Sequence, residues 1–212
     1  MSAQHGRKPD FDPTPPGRSR RHAPGEARQE ITDAALRFLW QRPFRELTVA
    51  VLMDDTTLSR PSFYQYFPDL HALMESLLAE IEVAMHKAAD PWIAGEGEAV
   101  AALRESLNGV VQTCVVHGPV FRAIVEAAPQ DDRLEKAWAE FMGRWNHAVE
   151  ARIIAQQVAG LIPPLDARSM ACALNHLDAS MLVSEFGRRP QGDPEQVFST
   201  LHRIWVGALY AE

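Results

Sequence analysis

Between Glu26 and Trp40 the apolar positions Ile31, Ala34, Ala35, Phe38 and Leu39 recur at spacings of one to four, which predicts an amphipathic helix. Gln41 to Leu47 is interrupted by Pro43 and reads as a loop. Thr48 is a natural N-cap, and Val49, Leu52 and Met53 share one face of the short helix that follows. Ser59 is a second N-cap, with Pro61 in the first turn, where a missing amide hydrogen costs little. Phe63 and Phe67 lie four apart and give this second short helix a face that docks on a core. Pro68 and Asp69 start a long helix to about Ala89, which Pro91 ends.

The remainder reads as helical throughout. Glu98 to Val116 carries Leu103, Leu107, Val110 and Cys114 on one side, and Pro119 opens a short helix holding Phe121, Ile124 and Val125. Asp131 to Ala159 stacks Leu134, Trp138, Phe141, Met142, Trp145 and Val149 at spacings of three and four. Pro163 and Pro164 break the chain, Asp166 caps a helix to about Phe186, and Pro194 opens the last one. Its stripe is Val197, Leu201, Ile204, Trp205, Ala208 and Leu209. No alternating strand pattern intervenes, so the chain is read as all-α. Residues 25–68 form an N-terminal three-helix unit containing a helix-turn-helix, and residues 69–212 a helical bundle. Residues 1–24 are rich in Pro, Arg, Gly and Ser without apolar periodicity and are expected to be disordered.

Composition narrows the class. With 212 residues, 46% hydrophobic, the chain suits one or two domains with a real core. It has no apolar run of about 18 residues and no apolar signal core, so neither a transmembrane helix nor export is indicated. A reduced cytoplasm is the expected setting, and Cys114 and Cys172 are too few and too distant for a disulfide scaffold or a zinc site. Charge is uneven. Residues 1–67 hold ten Lys and Arg against eight Asp and Glu, net +2, which leaves −9 on the other 145 of a chain at −7. The direction suits a nucleic-acid end and a soluble effector end. Arg18, Arg20 and Arg21 are positioned to follow a DNA backbone, or to serve only as a solvated leader.

The chemistry concentrates in Thr48–Phe67. Two short helices about a tight turn are either a hairpin that only packs or a DNA reader. Arg60, Ser62 and Tyr64 are left facing outward, with Tyr66 close by; an arginine and hydroxyls at a helix N-terminus suit phosphates and base edges. The residues alone leave both readings open.

The string LSRPSFYQYFPDLHALMESLL resembles the recognition helix and following long helix of the TetR family of one-component transcriptional regulators. Leu58, Ser59, Phe63, Tyr64, Tyr66 and Phe67 occupy the family pattern in order, and Ile31, Ala34, Ala35, Phe38 and Thr48 match it upstream. The resemblance implies a homodimer joined through the last two helices, a double-stranded DNA operator and a hydrophobic small-molecule effector, with repression the usual mode and no cofactor. It implies groove contacts from Arg60, Ser62 and Tyr64 around Pro61, and phosphate contacts from Thr48, Ser59, Tyr66 and His71. Two departures stand out. The turn is Thr56-Thr57 where the family commonly has Ala-Gly, so it is expected to be strained or built differently. Asp54 and Asp55 add negative charge, and Leu70 replaces the family's usual lysine, with His71 as a partial substitute. Weaker DNA binding than a typical member follows.

A narrower resemblance links AWAEFMGRW (137–145), CALNHLD (172–178) and HRIWVGALY (202–210) to the EthR-like subgroup of that family. It implies a long apolar ligand channel in the helical half, lined by Leu103, Leu107, Val110, Cys114, Trp138, Met142, Trp145, Asn175, Asp178 and Trp205. Leu103, Val110 and Cys114 stand where the subgroup carries aromatics, which implies a differently shaped channel. Asn175 needs a partner, either a ligand or a neighbouring helix. Asp178 replaces an asparagine and would favour an amine-bearing ligand, face solvent, or pair with an arginine. Other classes are weaker. No Glu is followed by His at the spacing a di-iron site needs, and no phosphate loop or nucleophile elbow occurs, so an enzyme is disfavoured. The alternative is a helical carrier of hydrophobic ligands with weak or lost DNA binding.

Overall fold

The computed structural model describes residues 24–95 and 97–210, and these form eight α-helices and two 3-10 turns. The helices are α1 (Pro24–Gln41), α2 (Val49–Asp54), α3 (Arg60–Phe63), α4 (Leu70–Ala94), α5 (Ala99–Ala127), α6 (Asp132–Val158), α7 (Ala167–Phe186) and α8 (Pro194–Leu209). Arg18, Arg20 and Arg21, with the expected N-terminal disorder, lie outside the described residues. In the N-terminal unit Ile31, Ala34, Ala35 and Leu39 of α1 are fully buried against Leu52, Met53, Phe63 and Phe67. Three side-chain caps form where the sequence starts a helix. Thr48 Oγ1 accepts from the Val51 amide at 3.1 Å, Asp69 from Ala72 at 2.7 Å, and Asp166 from Ser169 at 2.9 Å. Each cap of this kind stabilises by about 1 kcal/mol.

Two predicted helix breaks are absent. α4 runs through Pro91 to Ala94 and stops at Gly95, whose φ of 84° is the left-handed conformation that glycine adopts cheaply. Proline inside a helix removes one amide donor and crowds the preceding turn. Here the buried hydroxyl of Ser106, from α5, accepts from the Trp92 amide at 3.0 Å and donates to the Ala89 carbonyl at 3.0 Å. α5 likewise runs through Pro119 as one 29-residue helix rather than two. The Val115 carbonyl, which would have bonded residue 119, accepts instead from Gln191 Nε2 at 2.8 Å. Both repairs come from outside the interrupted helix, from α5 in one case and from the α7–α8 connection in the other, so helical periodicity does not reveal them.

α5 is the central helix, packed by α4, α7 and α8. Gly118 lets it approach α7, because a Cβ there would fall 2.2 Å from the Phe186 carbonyl oxygen. One joint ties the N-terminal unit to the bundle, and another fastens the start of α4 to α6. Buried Arg122 of α5 donates to the carbonyls of Leu39 and Arg42 at the end of α1. At the start of α4, Arg133 of α6 pairs with Asp69 at 2.9 Å and Glu75 at 2.6 Å.

Candidate nucleic-acid interface and apolar cavity

α3 is a single turn held by its apolar side. Phe63 and Phe67 are buried with ring centroids 5.7 Å apart, while Tyr64 is 60% exposed and meets Phe63 edge-on. Arg60 and Pro61 are exposed beside it, and Ser62 is half-buried. Ser59 occupies the N-cap position but does not cap. Its hydroxyl bonds that of Ser62 at 2.8 Å, a correction to the sequence reading. Thr48 spends its hydroxyl on the α2 cap, and Tyr66 is half-buried against the core. The acidic pair is internally neutralised: Asp54 lies 3.3 Å from Arg60, and Asp55 2.9 Å from Arg37.

The Thr56-Thr57 turn is built differently rather than strained. No described residue other than glycine has positive φ. Thr56 Oγ1 donates to the Met53 carbonyl at 2.9 Å and accepts from the Leu58 amide at 3.2 Å. The Glu30 carboxylate of α1 accepts from both the amide and the hydroxyl of Thr57. Side chains thus supply the turn bonds that glycine geometry would otherwise free.

His71, expected at a phosphate, has a partner within the protein. It is half-buried, and its Nε2 donates to Asp131 Oδ2 at 2.6 Å, at the N-terminus of α6. Burial alone would raise the Asp131 carboxyl; the bonds from His71 and the Leu134 amide outweigh it and hold it below its usual value. His71 also meets Phe44 edge-on at 5.9 Å, so it joins the loop behind α1 to the bundle.

The second feature is an apolar cavity inside the bundle, walled by α4, α5, α6, α7 and α8. All ten positions singled out above line it: Leu103, Leu107, Val110 and Cys114 from α5, Trp138, Met142 and Trp145 from α6, Asn175 and Asp178 from α7, and Trp205 from α8. Not singled out for it from the sequence were Met85, Ala89, Trp92 and Ile93 of α4, Ser106 and Phe121 of α5, Phe141 and Val149 of α6, and Ala179, Leu182 and Val183 of α7. Trp92, Ile93 and Phe121 fall just past Pro91 and Pro119, where the reading broke the helices and lost their register. Continuing each helix through its proline would have found them.

Polar groups are sparse in this lining. Asn175 Nδ2 donates to Asn146 Oδ1 of α6 at 2.9 Å, the helix–helix partner of the two foreseen. Asp178 is turned away from solvent, and no arginine among the described residues pairs with it. It is 8% exposed and accepts from Trp205 Nε1, 3.0 Å from one oxygen and 3.1 Å from the other. Burial pushes its carboxyl up to about 7. Burial and the neighbouring Asp178 charge hold the Cys114 thiol up at about 12. Trp145 Nε1 is buried without an acceptor among the described residues.

Comparison with known proteins places these features in a family. Residues 31–77 match the family described as bacterial regulatory proteins, tetR family. Residues 103–211 match the C-terminal domain of transcriptional regulator EthR. The chain is 30% identical over 205 residues to the HTH-type transcriptional regulator EthR of Mycobacterium tuberculosis (strain CDC 1551 / Oshkosh), covering 93% of this chain and 94% of the relative. It is 28% identical over 201 residues to the EthR of Mycolicibacterium smegmatis, covering 93% of each. In fold it is similar to the fatty acid degradation regulator FadR from Bacillus halodurans, with TM-score 0.75 and 13% identity over 89% of this chain and 97% of that one. The chain belongs to the TetR family of bacterial transcriptional regulators and carries an EthR-type C-terminal domain.

Proposed function

We propose that this regulator is a repressor that binds a near-palindromic operator as a homodimer and is released by a hydrophobic small molecule in the cavity. One observation carries the reading: α4 begins directly behind the exposed turn of α3 and ends in the cavity wall at Met85, Ala89, Trp92 and Ile93. Its 25 residues span roughly 37 Å at about 1.5 Å per residue. A ligand that moves the far end of this rod moves the reading head.

The pairing of α7 with α8 supports a dimer. Their inner faces pack on the bundle, while Leu177 and Ile204 remain 38% and 36% exposed on the outside. A two-fold dimer sets two α3 turns on successive major grooves, roughly 34 Å or a multiple apart. The effector then acts by population shift, binding the DNA-incompetent spacing more tightly. Arg60, Ser62 and Tyr64 serve the groove, with Thr48, Ser59 and Tyr66 near phosphates; His71 serves the joint instead.

The Asp54–Arg60 pair bears on the carrier alternative, because Arg60 must leave or share that partner to meet DNA. A gel shift against the DNA upstream of the chain's own gene separates the two readings. The regulator binds it above random DNA, and Arg60→Ala weakens specific binding at least tenfold more than random binding, within the roughly 1–3 kcal/mol of a base-reading contact. Equal loss on both makes Arg60 a backbone contact only, and no shift favours the carrier.

A further inference from the structure

Asp178 is the one acid in a cavity built mostly from apolar and aromatic side chains, with Ser106 and Asn175 its other oxygen- or nitrogen-bearing aliphatic groups. Its only hydrogen-bond donor among the described residues is the single Trp205 indole N–H, shared between both oxygens. A carboxylate offers about four acceptor sites. Buried charge is costly unless paired and fully bonded. No cation among the described residues meets this need. α4, α6 and α8 contribute no ionisable side chain to the lining, and Cys114 of α5, the other titratable group there, stays a neutral thiol. Four tryptophans, Trp92, Trp138, Trp145 and Trp205, line the same cavity, and Trp92 meets Trp205 edge-to-face at 5.5 Å. Indole rings attract desolvated cations.

We propose that the cavity selects a hydrophobic ligand bearing a protonated amine, with Asp178 as its counter-ion and the tryptophans around its apolar body. The proposal rests on the reading of the cavity as the effector site and narrows that effector to a chemical class. A neutral alcohol can hydrogen-bond either form of the carboxyl but pairs with no charge, so only binding of the amine depends strongly on ionisation of Asp178. With that carboxyl titrating at about 7, it is mostly ionised at pH 8 and mostly protonated at pH 6. An alkylamine stays charged throughout, its ordinary pKa being about 10.

The test is titration of the intact protein with 4-phenylbutylamine and with 4-phenylbutanol, followed by tryptophan fluorescence at pH 8 and pH 6. At pH 8 the amine should bind at least tenfold more tightly than the alcohol. At pH 6 that preference should shrink by nearly tenfold, and Asp178→Asn should abolish it at both. The proposal is overturned if wild type binds the two probes equally at pH 8, a result that leaves the cavity reading standing. It is overturned too if the preference is unchanged at pH 6 or survives in Asp178→Asn. If neither probe binds, this proposal and the cavity reading fall together.

Discussion

Asp178 carries a stability consequence independent of any ligand. Burial raises its carboxyl from an ordinary 3.8 to about 7. Between these values the folded protein holds a proton that the unfolded chain has lost, so stability falls as pH rises through this window. The limit of the effect is about 4 kcal/mol. Asparagine resembles the neutral acid and does not titrate. The melting temperature of Asp178→Asn should therefore gain on wild type from pH 5 to about pH 7 and level off above it. A difference that stays flat with pH contradicts the burial of a lone acid. The residue type was legible in the sequence, but its surroundings were not. Solvent, an arginine and a ligand all fitted the same letter, and only the packing of α5, α7 and α8 removes the first two. His71 shows the same limit, since its partner Asp131 lies 60 positions away.

At the scale of elements, periodicity and caps predicted the helices closely, because each amphipathic stripe is a local property. Prolines were over-read. A proline ends a helix only when nothing else satisfies the freed backbone groups. Ser106 does so for α4 and Gln191 for α5, each across a tertiary contact that no window of sequence contains. Ser106→Ala should thus cost about 1–3 kcal/mol by stranding the buried Trp92 amide. Thermal melting checks it, and a variant as stable as wild type would show that α4 passes Pro91 without this hydroxyl. The same logic covers the Thr56-Thr57 turn. Its threonines fail as positive-φ residues, yet they succeed as hydroxyl donors and acceptors because Glu30 of α1 stands opposite.

For the whole molecule, the two working parts are joined by few features. α4 spans from α3 to the cavity, and its first turn is fastened to α6 through Asp69, His71, Glu75, Asp131 and Arg133. Exposed ion pairs of this kind add little stability, so their value here is orientation. Much of the overall plan was legible, since the reading-head motif is contiguous and the cavity positions fall on regular helical faces. What escaped was the wall that α4 contributes, and with it the direct contact between this helix and the cavity. The central claim remains that the head reads a two-fold DNA site. In vitro selection of the full-length protein on a random duplex library tests it most directly. The account predicts enrichment of a near-palindrome whose half-sites lie about 10 base pairs, or a multiple, apart. A library that emerges with no motif enriched over its input would contradict it.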